Sequence, residues 1–270
     1  MSRPTDEQIA LQSRQLKMPG VRRSFAELAR QAREERWSHE DYLHDVLAAE
    51  LSSRRESAFN ARLHGARFPE MKTLDAFDFG AVEGIDASVV ARLAACDWIA
   101  GGECVVLAGP IGTGKTHLAI ALGIEAVRRL VRVAFYRTAD LVQALVEARD
   151  DRELGRLQRR MRQVPLLICD ELGFVPFDRK GGELLFNLVA DRHAARRSTL
   201  VTTNLAFTEW PAILGGDDKL TAALIDRLCE RATILTTRGK SFRLRRRKEA
   251  GAVETTDPAT APRARRGGAA

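Results

Sequence analysis

The sequence predicts an α/β fold in three layers, with a central parallel sheet between helices and a small all-helical unit ahead of it. Three observations carry this. Short apolar segments alternate with helical patterns through the middle of the chain, the signature of a parallel sheet covered on both faces. One of these segments runs into a glycine-rich turn that opens an apolar helix. The stretch before them, up to Ala66, shows helical patterning and no strand candidate.

In chain order, residues 1–66 form the helical unit. Ser38-His39-Glu40-Asp41 is a helix start, with the Ser hydroxyl free to accept an orphan backbone N–H. Leu43, Leu47 and Leu51 repeat every four residues and predict one apolar face. Arg54, Arg55, Arg62 and Arg67 read as solvated cations. Residues 67–80 are a connector. Pro69 disfavours a helix through Phe68, and Phe68, Phe77 and Phe79 predict a strap buried on the next domain rather than a base-stacking platform.

Residues 81–248 form the α/β domain. Its strand candidates are Cys104–Ala108, Arg132–Tyr136, Leu166–Cys169, Thr199–Thr203 and Thr233–Thr237, with helical patterns beginning near Gly114, Thr138, Arg152, Gly181 and Lys219. No repeat of fixed period is present. Arg238 to Lys248 carries seven cations in eleven residues, and 249–270 reads as a disordered tail of Ala, Gly, Pro, Thr and Arg.

Composition bounds the function. At 270 residues, 45% hydrophobic and 29% charged, the chain holds enough apolar material for one substantial domain and a small one. The formal charge of +7 suits a polyanionic partner. No apolar run reaches the ~18 residues of a membrane span, and the polar N-terminus has no secretory core, so a membrane partner is not expected. Cys96, Cys104, Cys169 and Cys229 are far apart and read as buried thiols of a cytoplasmic protein.

Gly109-Pro110-Ile111-Gly112-Thr113-Gly114-Lys115-Thr116 matches G-x-x-x-x-G-K-[ST] between a strand and a helix that continues through His117. The glycines let backbone N–H groups wrap phosphate oxygens, and the helix start adds partial positive charge. Lys115 is expected to reach the β- and γ-phosphates of ATP, and Thr116 to ligate Mg²⁺. Leu166-Leu167-Ile168-Cys169-Asp170-Glu171 ends an apolar strand in two carboxylates at the sheet edge where ligands bind. Asp170 is expected to hold the Mg²⁺ shell, and Glu171 to polarise the attacking water; a helix-cap or surface role for Glu171 is the alternative. Arg132–Tyr136 intervenes in sequence between loop and Asp170. That places the acidic pair on a non-adjacent segment and points to the additional-strand, catalytic-Glu branch of P-loop ATPases. Asn204 follows the next strand, as a partner of the γ-phosphate or as a turn former.

Four stretches, GPIGTGKTHLAIALGIEA, ICDELGFVPFDRKGGELLF, STLVTTNLAFTEW and LIDRLCERATILTTRGKSFRLR, together resemble the IstB-type AAA+ ATPases, the ATP-binding helpers encoded beside a transposase in one class of insertion sequences. These are similar to DnaC-type helicase loaders. LKMPG and RLHGARFPEMKTLDAFDF extend the resemblance into the helical unit. It implies that Asp170 and Glu171 are the Walker B pair, Asn204 the sensor, and Arg227 an arginine finger acting on a neighbouring subunit's ATP. On the residues alone, Arg227 could instead pair with Asp226 or Glu230. The resemblance also implies the absence of a C-terminal lid domain, with Arg243 a weak second-sensor candidate.

Arg149, Arg152, Arg156, Arg159 and Arg160 fall at helical spacing on one face, with Leu154, Leu157, Met161 and Val164 on another. Together with Arg243, Arg245, Arg246 and Arg247 they are candidate phosphate contacts for double-stranded DNA; a solvated helix face is the alternative. No base-reading motif is present, so binding should be sequence-independent and salt-dependent. The expected function is an ATPase that oligomerises with ATP on target DNA, deforms it, recruits the transposase of the same element and is released by hydrolysis. A DnaC-like loader of a replicative helicase is the alternative.

Overall fold

The computed structural model describes residues 5–239 together with Ser241 and Phe242. The cationic cluster at Arg243, Arg245, Arg246 and Arg247 and the tail 249–270 lie outside the described residues.

Three helices open the chain: α1 (Asp6–Gln15), α2 (Pro19–Glu35) and α3 (His39–Ala66). Ser38 caps α3 as expected, its hydroxyl accepting from the Asp41 N–H while the Asp41 carboxylate accepts from the Ser38 N–H. α2 and α3 meet where Gly20 lies against the backbone of Ala49 and Glu50; a Cβ there would stand 2.6 Å from the Ala49 carbonyl oxygen. The buried Glu50 carboxylate accepts the Gly20 and Val21 N–H groups at 2.7 and 3.2 Å and the Arg54 Nε at 2.7 Å, which satisfies the start of α2.

That contact decides which face of α3 is buried. Val46, Glu50 and Ser53 face α2, with Val21, Phe25 and Val46 forming a small core. Leu43, Leu47 and Leu51, the one apolar face read from the sequence, are consequently 56, 45 and 54% exposed. The far end of α3 serves another core: Phe59, Leu63 and Ala66 pack on the α/β domain.

The sheet has five parallel strands: β1 (Cys104–Ala108), β2 (Val133–Arg137), β3 (Leu166–Leu172), β4 (Ser198–Thr203) and β5 (Ala232–Thr236), in the order β2-β3-β4-β1-β5. All five lie within a few residues of their expected positions. The strand that separates β1 from β3 in space is β4, whereas β2 lies at the edge. Alternate residues feed the two faces. Leu166 and Ile168 join a core with α4 (Ala87–Ala94), α5 (Asp97–Gly101), α6 (Lys115–Arg128) and the end of α3. Leu167 and Cys169 join the opposite core with α7 (Thr138–Asp150), α8 (Leu154–Gln163), α9 (Arg179–Ala194), α10 (Trp210–Ile213) and α11 (Asp218–Cys229).

The connector is the expected strap. Phe68 meets Phe135 edge-on at 6.0 Å, and Phe77 packs edge-on against both Phe79 and His117. The cationic helix differs from expectation. α7 ends at Asp150, Arg152 adopts a left-handed conformation (φ 60°), and α8 begins only at Leu154. Arg149 therefore sits at the end of α7 and Arg152 in the turn, so the five arginines do not form one continuous stripe. Arg156, Arg159 and Arg160 remain on the exposed side of α8, with Met161 buried beneath. Among the described residues no helical lid follows β5, and no helix is long and apolar enough to cross a membrane.

Candidate active site

The glycine-rich turn leaves β1 at the carboxyl edge of the sheet and feeds directly into α6. Its backbone is tightly enclosed. Gly109 (φ 137°) lies against Thr237, and a Cβ on Gly114 (φ 88°) would stand 2.8 Å from the Phe77 ring, so side chains are excluded on both flanks. The residues after β5 clasp the turn. The Thr237 N–H donates to the Ala108 carbonyl at 2.8 Å, its hydroxyl lies 2.6 Å from that of Thr113, and the Phe242 N–H donates to the Gly112 carbonyl at 2.9 Å. The Thr113 hydroxyl also donates to the Pro110 carbonyl, while Ile111 projects outward. Lys115 Nζ donates to the carbonyls of Gly109 and Pro110, each at 2.7 Å, which holds the ammonium over the loop. The first-turn N–H groups of Thr116 and His117 have no intrahelical i−4 acceptor by helix geometry. The imidazole of His117 is committed elsewhere, at 2.8 Å from the Thr73 carbonyl of the strap.

Asp170 faces this loop. Thr116 Oγ1 donates to Asp170 Oδ1 at 3.0 Å, joining the start of α6 to the end of β3 across the intervening β4. Thr202 Oγ1 donates to the same Asp170 oxygen at 2.6 Å and accepts the Glu171 N–H at 2.8 Å. Thr138 Oγ1 donates to the Asp170 carbonyl. The β3–β4 register shifts between Cys169 and Leu172, and Glu171 within that bulge adopts φ 57°. The bulge leaves Asp170 buried and turns Glu171 out to solvent. A left-handed non-glycine residue costs about 1–3 kcal/mol and persists where its surroundings fix it; here the Thr202 bond does so.

Asn204 follows β4, between β1 and β3. Thr203 pairs with both Ala108 and Leu172, so the next residue out stands at the edge between the loop and the acidic pair. Arg227 lies near the end of α11. Its Nη1 donates to the Ala223 carbonyl at 2.8 Å, and its guanidinium carbon sits 4.9 Å from the centroid of the Phe186 ring, a cation–π contact between α11 and α9. Neither Asp226 nor Glu230 forms an ion pair with it among the described residues; Glu230 pairs with His193 instead. On the cationic side, Arg156 is paired with Glu153 at 2.8 Å and Arg149 with Asp150 at 3.3 Å.

Sequence reasoning missed Thr202, Thr138 and Thr237, whose roles depend on pairing across the sheet. It also missed Arg192, a fully buried guanidinium that donates to the carbonyls of Met161, Val164, Pro165 and Ser198 and to the Thr199 hydroxyl. Burial pulls its pKa down to about 10, which leaves it protonated at neutral pH. It ties the end of α8 to the starts of β3 and β4. Cys169, also fully enclosed, is pushed up to about 12 by burial and is no nucleophile at neutral pH.

The loop, its helix and the hard oxygens of Thr116 and Asp170 form a donor set suited to a triphosphate with a small divalent cation such as Mg²⁺. Relatives named for ATP binding match this chain. An ATP-binding protein of insertion sequence IS21 from Pseudomonas aeruginosa is 36% identical over 238 residues, spanning 88% of this chain and 89% of that one. One of insertion sequence IS5376 from Geobacillus stearothermophilus is 32% identical over 236 residues, spanning 86% and 92%. The fold is similar to that of the DnaC helicase loader, with TM-score 0.51 and 20% identity over 62% of this chain and 96% of that chain. It is also similar to AMPPCP-bound DnaA from Aquifex aeolicus, with TM-score 0.52 and 21% identity over 68% and 55%. These likenesses show that the α/β domain shares its fold with those proteins. The family model described as "IstB-like ATP binding protein" matches residues 11–250, and with these relatives it shows that the chain belongs to the family of IstB-like ATP-binding proteins of insertion sequences.

Proposed function

We propose that this chain is an ATP-hydrolysing transposition helper that assembles with ATP on double-stranded DNA, deforms it and presents it to the transposase of the same element. Hydrolysis then releases the assembly. The observation that carries the reading is the 3.0 Å bond between Thr116 and Asp170, which brings phosphate loop and acidic strand to one point.

In this reading the backbone from Gly109 to Thr116 and the first turn of α6 bind the phosphates. Lys115 leaves the loop carbonyls to reach the β- and γ-phosphate oxygens. Thr116 and Asp170 hold Mg²⁺, which when bound neutralises charge on those oxygens. Glu171, turned outward by its bulge, takes a proton from the attacking water at its carboxylate. Asn204 orients that water or the γ-phosphate. Arg227 leaves Phe186 and stabilises phosphoryl charge on a neighbouring subunit. Arg156, Arg159 and Arg160 of α8 contact DNA phosphates, which makes binding salt-dependent.

Gel shifts with the Glu171→Gln variant test this. With ATP the variant should hold duplex DNA at least tenfold more tightly than without, and rising salt should release it. DNA binding indifferent to both ATP and salt would refute the proposal.

A further inference from the structure

Arg192 lies far from the phosphate loop, yet it is fully buried and fully bonded. It donates to the carbonyls of Met161, Val164 and Pro165 on one side, and to the Ser198 carbonyl and Thr199 hydroxyl on the other. Those bonds pin the two segments that enter β3 and β4. Each segment carries arginines into solvent: Arg162 at the end of α8, and Arg196 and Arg197 ahead of β4. Arg132, just ahead of β2, joins them by donating its Nη2 to the Gln163 carbonyl at 3.2 Å. Arg196 is held at φ 48°, with Gly102 packed so closely that a Cβ there would stand 2.8 Å from the Arg196 carbonyl oxygen. All four arginines are exposed, and none forms an ion pair among the described residues. Glu103 and Asp191 are the exposed carboxylates nearby, and they leave an excess of positive charge.

Sheet register sets these cations in a row. Arg132, Pro165 and Arg197 stand one step ahead of the paired positions Val133, Leu166 and Ser198 in adjacent strands. At ~4.8 Å between strands the row is about 10 Å long, the length of about three phosphates along one DNA strand. A row suits a repeating anion, whereas a single small anion would need the arginines to converge. We propose that the amino edge of the sheet, from Arg132 through Arg162 to Arg196 and Arg197, is a track for the phosphate backbone of duplex DNA. This rests on the DNA-binding reading above and extends it. Arg159 and Arg160 lie within one turn of Arg162 on the same helix, so the duplex runs from the outer side of α8 across this edge. The phosphate loop leaves the opposite edge, one five-residue strand away, or about 16 Å. DNA on the track therefore leaves the nucleotide site open.

Fluorescence anisotropy of the full chain on a labelled duplex, with ATP and over a range of salt, tests the track. A variant carrying Arg132→Gln, Arg162→Gln, Arg196→Gln and Arg197→Gln together should bind at least tenfold more weakly. Its slope of log affinity against log salt should shrink by about 2–3, since each lost phosphate contact removes about 0.9. Lys at the same four positions should restore most of the affinity, which a merely structural role of the guanidinium groups would not allow. Circular dichroism and ATP uptake should match wild type in both variants, because all four side chains are in solvent at the edge away from the loop. A Gln variant with wild-type affinity and slope overturns the proposal and leaves the helper reading intact. A Lys variant no better than the Gln variant also overturns it, because attraction to phosphate needs the charge alone. So does a Gln variant that keeps its DNA affinity but loses binding to polyglutamate, which would give the edge to an acidic protein. A wild type that binds no duplex overturns the track and the proposed function together.

Discussion

Asp170 is fixed before any ligand arrives. Two threonine hydroxyls, from α6 and β4, donate to one of its carboxylate oxygens, and a third holds its carbonyl. Hydrogen bonds to a charged group contribute about 1.5–3 kcal/mol each. Thr202 does double duty, since it also anchors the Glu171 N–H inside the bulge. Thr202→Val should therefore misplace both carboxylates. We expect ATP turnover to fall at least tenfold while nucleotide affinity changes less than threefold, measured by phosphate release and calorimetry; unchanged turnover would remove Thr202 from the site. Asp170 and the loop were legible in the sequence because each is written in consecutive residues. Thr202, Thr138 and Thr237 were not, because each acts on a residue more than thirty positions away and only strand order brings them together.

Among elements, α3 shows how a repeat can mislead. The leucines at every fourth position were visible, but the buried face is one residue away, where Gly20 permits close backbone approach and Glu50 can cap α2. A pattern of apolar residues cannot report a buried carboxylate that chooses the face. Burial alone would raise the Glu50 pKa; the Arg54 ion pair and the Val21 and Gly20 N–H groups outweigh it and hold the acid below its usual value. A depressed carboxylate stabilises the fold above its unfolded pKa and loses that contribution as pH falls through the folded value. The α2–α3 pair should thus loosen at acid pH, below the ordinary Glu range, and Glu50→Gln should flatten that dependence in circular dichroism titrations; an unchanged titration would contradict this role. The cationic helix misled differently. The spacing from Arg149 to Arg160 is helical throughout, and only the left-handed Arg152 breaks it. Arg192, buried at the sheet's other edge, then fixes where α8 ends.

At the scale of the molecule, the alternation of strands and helices and the strap's phenylalanines gave the layers, since both are local patterns. The order of strands was not written there. β4 enters between β1 and β3, and this insertion sets Asn204 between the loop and the acidic pair. The clasp of Thr237 and Phe242 on the loop likewise joins segments more than a hundred residues apart. In the proposed reading, strap, sheet edge and clasp together frame the seat of the triphosphate. Titration calorimetry with ATP and magnesium on the folded wild type and on Lys115→Ala addresses that place directly. Uptake of one nucleotide per wild-type chain and none by Lys115→Ala is the expected result. No uptake by the wild type, or equal uptake by both, would show that the loop does not seat the nucleotide.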